Sequence, residues 1–166
     1  MDYNDYFERG TITKVNIIEK KDIRLFLEFT YKDNLKVSKD LIISYPRWSI
    51  ISGYYAMHDI SKLYLLLDFD LKFSKPSVHD AVIKALKELV KKEKIISLIE
   101  KGDSEFARIQ KLDYFLAKGK SNREKTQYYT MLSFSEEDLI DVAQSFYKNI
   151  VVPYIKIVEK LLVREK

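Results

Sequence analysis

From Pro46 to Phe69 the chain is apolar nearly all the way round a helix, and this stretch constrains the fold more than anything else in the sequence. A helix that is apolar on every side has to be buried on every side, so other helices must surround it. One strip differs. Ser49, Ser52, Gly53 and Ala56 recur at three- and four-residue spacing, and they are small or polar enough to let a neighbouring backbone come close. Only four Gly and three Pro occur in 166 residues, which favours long elements and few tight turns.

The neighbours can be read on either side. Asp22 to about Asp40 predicts a helix, with Ile23, Phe26 or Leu27, Tyr31 and Leu35 at roughly helical spacing. Residues 1–21 form an extension of open structure in which Thr11–Ile17 alternates like a short strand or hairpin arm. Pro76 and Ser77 open a third helix through Val82, Leu86 and Val90 towards Ile99. Lys101-Gly102-Asp103-Ser104 reads as a break, followed by a shorter helix through Phe106, Ile109, Leu112 and Leu116 to Gly119. Ser121–Tyr129 is polar and basic, one or two helical turns. The last helix starts at Ser135, which can cap, with Asp138 three residues on and Phe134 stapling Leu139. Pro153 should kink that helix or end its first half. The expected fold is a single all-α domain, residues 1–166, an up-and-down bundle of about five helices without a credible sheet.

Composition excludes several chemistries. The chain has no cysteine, hence no disulfide, thiol nucleophile or Cys–zinc site, and its two histidines are too few for a multi-His metal centre. No phosphate-cradling Gly loop or nucleophile elbow is present. No cofactor and no metal is expected. Asp68 and Asp70 interrupt the longest apolar run, so no membrane span is expected. The acidic start Met1-Asp-Tyr-Asn-Asp lacks a signal-peptide layout, which points to the cytoplasm. Abundant Lys, Ile and Glu suit a thermophile. The net charge is +4, and residues 84–125 hold 12 Lys/Arg against 7 Asp/Glu. Such a bias attracts phosphates, or simply solvates helix faces.

Few residues remain to carry chemistry. Arg123 and Tyr128 fall on broadly neighbouring helix faces, and a guanidinium with a phenol can hold a phosphate; the alternative is a surface Arg beside a half-buried Tyr. His58 is either a core residue or a catalytic imidazole. His79, just inside the third helix, can meet an anion at the helix start. Lys75, Lys120 and Lys125 are further phosphate-binding candidates.

Arg47, Tyr54-Tyr55-Ala56-Met57-His58, the apolar run Ile60–Phe69, Lys75 with His79, and the late Arg123 with Gln127-Tyr128 occur in an order that resembles the HEPN superfamily, especially its small stand-alone archaeal and bacterial members. The resemblance covers about Asp22 to Leu162. It implies a helical homodimer of toxin–antitoxin or defence systems, with two copies of the Arg motif across a shared cleft. It also implies metal-independent RNA cleavage, in which the ribose 2′-hydroxyl attacks the neighbouring phosphate. The family's histidine, separated from the Arg by four to six intervening residues, is absent here: Tyr128 or a neighbour fills its place, and a phenol titrating near pH 10 is a poor base at pH 7. His58 or His79 supplies the imidazole only if the fold or a dimer brings one beside Arg123. Some relatives pair with a small nucleotidyltransferase antitoxin that modifies a tyrosine, which would make Tyr128 or Tyr129 the acceptor. The competing expectation is a non-catalytic module that docks such a partner.

Overall fold

The computed structural model describes residues 1–119 and 136–163, with side-chain environments for 1–111 and 137–163. In order they form α1 (Tyr3–Glu8), β1 (Ile12–Lys14), α2 (Ile17–Asp40), α3 (Pro46–Phe69), β2 (Leu71–Phe73), α4 (Val78–Ala85), a π-helical turn (Leu86–Val90), α5 (Glu93–Gly119), α6 (Glu136–Phe146), a second π-helical turn (Tyr147–Val151) and α7 (Val152–Val163). The fold is an all-α helical bundle around α3, as its apolar circumference requires. Ile50, Ala56, Met57, Ile60, Leu65 and Leu66 are fully buried. Among the described residues no helix is long and apolar enough to cross a membrane.

The small strip on α3 makes the close approach expected of it. Ser38 Oγ on α2 donates to the Ser49 carbonyl at 2.8 Å, and Ser49 Oγ returns a bond to the Ser38 carbonyl at 2.5 Å. A Cβ on Gly53 would lie 2.8 Å from Ser38 Oγ and 2.9 Å from Val151 Cγ2. Lysines close the other end of α3. Asp70 takes the left-handed cap position, Lys20 donates to the Leu67 carbonyl at 3.1 Å and to Asp70 at 2.6 Å, and Lys14 donates to the Phe69 carbonyl at 2.7 Å. Cations belong at this negative end of the helix dipole.

Several boundaries differ from the sequence-based expectation. The helix read from Asp22 begins at Ile17, because Asn16 caps it through a 2.9 Å bond from the Glu19 amide. The extension is ordered: α1 is closed by a capping box between Asp2 and Asp5. A sheet does exist, since β1 pairs antiparallel with β2, Thr13 opposite Lys72. Ser74 N–H donates to the Thr11 carbonyl at 2.9 Å, and Thr11 Oγ1 donates to the Pro76 carbonyl at 3.1 Å.

The break read at Lys101–Ser104 lies instead at Lys91, whose φ of 53° ends the first π turn. α5 runs through Gly102 unbroken, and a Cβ there would meet Met57 Cε at 3.0 Å. This glycine serves a helix crossing and does not terminate a helix. At Pro153, where a kink or the end of the helix's first half was expected, the α-helix of Glu136–Phe146 gives way to the π turn Tyr147–Val151 and resumes at Val152. Ser121–Tyr129 and the cap and staple residues Ser135 and Phe134 lie outside the described residues.

Candidate functional site

Three helices bring Tyr54, His58, His79, Asp103 and Phe106 together. On α3, Tyr54 and His58 are four residues apart and share one face. On α5, Asp103 and Phe106 are three apart and face them. α4 contributes His79, the second residue of its first turn.

The Tyr54 hydroxyl lies 2.7 Å from His79 Nδ1 and 2.9 Å from Asp103 Oδ1. Phe106 stacks on the Tyr54 ring, centroids 4.0 Å apart and planes within 7°. The two imidazoles stack on each other, with centroids at 4.5 Å and 25° between planes. Tyr55, 39% exposed, closes the outer edge against His79 and Phe106.

The two histidines have opposite situations. His58 is completely buried, and neither ring nitrogen finds a hydrogen-bond partner among the described residues. Burial, then the neighbouring His79 and Lys62, hold its pKa well below the usual histidine value. His79 is half-buried; its Nε2 has no described partner, yet unlike the nitrogens of His58 it is not sealed from solvent. Burial and Lys62 lower its pKa too, against the opposing pull of Asp103, Asp80 and Asp59. Both rings are therefore neutral at pH 7. The Tyr54 phenol is pushed far above its ordinary value, first by burial and then by its bond to Asp103, so it stays protonated.

His79 opens on a helix start with no side-chain cap. Ser77, at φ 59°, makes no capping bond to the first-turn N–H groups of α4. Lys75 is exposed two residues earlier. Asp103 also borders a cleft of about 500 Å³, lined by Met1, Tyr6, Asp80, Ile83, Lys84, Lys87 and Glu100. Lys87 is paired with Glu100 there at 2.5 Å. Another cleft, of about 720 Å³, shares no residue with the imidazole site; it runs between α2, α3 and α7, where burial and the adjacent Glu159 carboxylate push the Tyr31 phenol up to about 12.

Chemically, the site offers an imidazole acceptor, a protonated phenol and a carboxylate in hydrogen-bond contact, with a positive helix end beside them. Among the described residues no group of three or more His, Asp or Glu could hold a metal ion. Of the residues singled out by sequence, the fold joins His58 to His79 and places Lys75 near the start of α4. Arg47 lies in the first turn of α3, with its guanidinium 5.3 Å from the Trp48 ring. Arg123, Tyr128, Tyr129, Lys120 and Lys125 lie outside the described residues. Tyr54, Asp103 and Phe106 were not foreseen as site residues. The available signal was a Tyr and a His one helical turn apart on a helix otherwise apolar, a costly pattern unless the polar ends are used. Comparison with protein-family models, with curated proteins and with solved structures finds no match to this chain.

Proposed function

We propose that this chain is a HEPN-type helical protein that binds RNA or nucleotide phosphate in a toxin–antitoxin or defence setting, and that His79 is the base of a metal-independent RNA cleavage. The observation that carries the reading is His79 itself: a neutral, partly exposed imidazole in the first turn of a helix whose N–H groups no side chain caps. Such an end favours an anion, and a neutral imidazole beside it can take a proton from a hydroxyl. In this reading the ribose 2′-oxygen loses its proton to His79 and attacks the adjacent phosphorus. The P–O5′ bond breaks, the leaving 5′-oxygen takes a proton from solvent water, and the products end in a 2′,3′-cyclic phosphate and a 5′-hydroxyl. Arg123, with Lys75, Lys120 and Lys125, supplies the cations that the phosphorane needs. The same reading carries a homodimer.

Labelled tRNA and mRNA incubated with the protein in EDTA test it, alongside His79→Ala and Arg123→Ala. Cleavage by the native protein with cyclic-phosphate ends, reduced about 10²-fold or more in either variant, is the expected result. If the native protein neither cleaves nor shifts any RNA at low salt, the RNA role is lost.

A second reading has its own support. α2 exposes Ile18, Leu25, Phe26 and Phe29, each more than half accessible, and an apolar helix face of this kind suits a non-catalytic module that docks a nucleotidyltransferase antitoxin. Co-purification with a small nucleotidyltransferase from the neighbouring gene, abolished by Phe26→Asp with Phe29→Asp, would distinguish it.

A further inference from the structure

Counting protons around Tyr54 fixes more than the distances do. The phenol has one proton and two neighbours within hydrogen-bond reach, His79 Nδ1 at 2.7 Å and Asp103 Oδ1 at 2.9 Å. An ionised carboxylate can only accept. If the phenol gave its proton to His79, its oxygen would face the Asp103 oxygen with lone pair against lone pair. The arrangement closes without such a clash in one way: Tyr54 donates to Asp103, and His79 Nδ1–H donates to the Tyr54 oxygen. A neutral imidazole carries a single N–H, so Nε2 is then bare.

We infer that Asp103 is a positioning residue which, through the Tyr54 hydroxyl, locks His79 as the Nδ1–H tautomer and leaves Nε2 as an outward acceptor for a hydroxyl-bearing ligand. The lock has mechanical support. Phe106, one turn from Asp103 on α5, stacks flat on the Tyr54 ring, and the buried His58 ring backs the His79 ring at 4.5 Å. Turning the imidazole over would break the bond to Tyr54 and disturb a side chain sealed in the core. Free histidine favours the opposite, Nε2–H form, so the assignment departs from the default and is measurable.

The inference rests on the proposed function only for the identity of the ligand hydroxyl, a ribose 2′-OH; the tautomer stands apart from it. Long-range ¹H–¹⁵N correlation spectra of the full chain at pH 7.5 report which ring nitrogen is protonated. Only two histidines are present, and the His58→Phe spectrum identifies the His79 signals. The native protein should show a protonated Nδ1 and a bare Nε2 at His79. Asp103→Asn keeps an acceptor for the phenol and should keep that tautomer. Asp103→Leu frees the phenol proton for Nδ1 and should move His79 to Nε2–H, and Tyr54→Phe, which only deletes the hydroxyl, should do the same if Asp103→Leu fails to fold.

Nε2–H at His79 in the native protein, or Nδ1–H retained in Tyr54→Phe, overturns the inference. RNA cleavage separates the two claims. If the tautomers are as stated and no protein cleaves, the positioning survives and the RNA reading falls. If cleavage occurs with Nε2–H in the native protein, the positioning falls, and with it His79 as the base, while RNA cleavage itself stands. With both correct, Asp103→Leu should lower kcat about 10²–10⁴-fold with little change in KM, while Asp103→Asn stays near the native rate.

Discussion

Acid should loosen this protein through His58, and the size of the effect follows from its burial. His58 is fully enclosed, unbonded at both nitrogens, and held neutral by burial, by His79 and by Lys62. Its folded pKa lies below the unfolded value of about 6.5, so as pH falls the unfolded chain takes up a proton that the folded one refuses. The stability contribution is present above pH 6.5 and is lost progressively below it, until the folded pKa is reached. At pH 5 the loss from this one residue is about 2 kcal/mol, with a limiting slope of about 1.4 kcal/mol per pH unit.

His58→Phe keeps a planar ring in the same slot and removes both the titration and two unbonded polar atoms. Leaving such atoms buried costs about 1–3 kcal/mol, so the variant should be at least as stable as the native protein at pH 7.5. Urea unfolding at pH 7.5 and 5.0 gives the comparison, with equal m-values confirming the same transition. The native protein should lose about 2 kcal/mol more than His58→Phe between the two pH values, a difference of several degrees in Tm. Equal losses in the two proteins would show that the buried imidazole is not held neutral, and the description of the site would have to change.

Two glycines on crossing helices should respond oppositely to alanine. Gly53→Ala puts a methyl against Ser38 Oγ, which is fixed by its bond to Ser49, and against Val151; a loss of about 1–3 kcal/mol in urea titration is expected. Gly102→Ala meets only the flexible end of Met57 and gains about 0.5–1 kcal/mol of helix propensity, so it should be neutral or slightly stabilising. Deep in the core, Ser61 donates to the Met57 carbonyl and so must accept from the Tyr154 hydroxyl, both at 2.5 Å. Tyr154→Phe removes that bond alone and should cost about 1 kcal/mol by the same measurement.

The parts of this molecule that could be read in advance are those specified by neighbours in sequence. α3 was legible from Pro46 to Phe69 because its burial shows in every residue, and the small strip announced the crossing with α2. Lys91 and Lys92 carry no turn signal, so the interruption between α4 and α5 was misplaced onto Gly102, a residue whose purpose is contact with Met57. The alternation at Thr11–Ile17 showed the strand, but its pairing could not be read, since the partner strand comes nearly sixty residues later. The site divides the same way. His58 and His79 drew notice as the only two histidines, but nothing local says that their rings touch. Asp103 read as a helix breaker and Tyr54 as part of a family signature, and only the crossing of α3 with α5 turns them into one hydrogen-bonded unit.

The β1–β2 clip has a consequence for the order in which the site is built. It ties Gly10–Lys14 to the segment that leads into α4, and thereby to His79. Thr13 leaves the ribosome first but must wait for Lys72, an interval of roughly 3–12 s at ordinary rates of synthesis. During that time the opening segment lacks its strand partner, and closure of the clip fixes the approach to α4 only after α3 has been made. The segment that enters β1 thus finds its partner only once α2 and α3 have been made, and before the helix that carries His79.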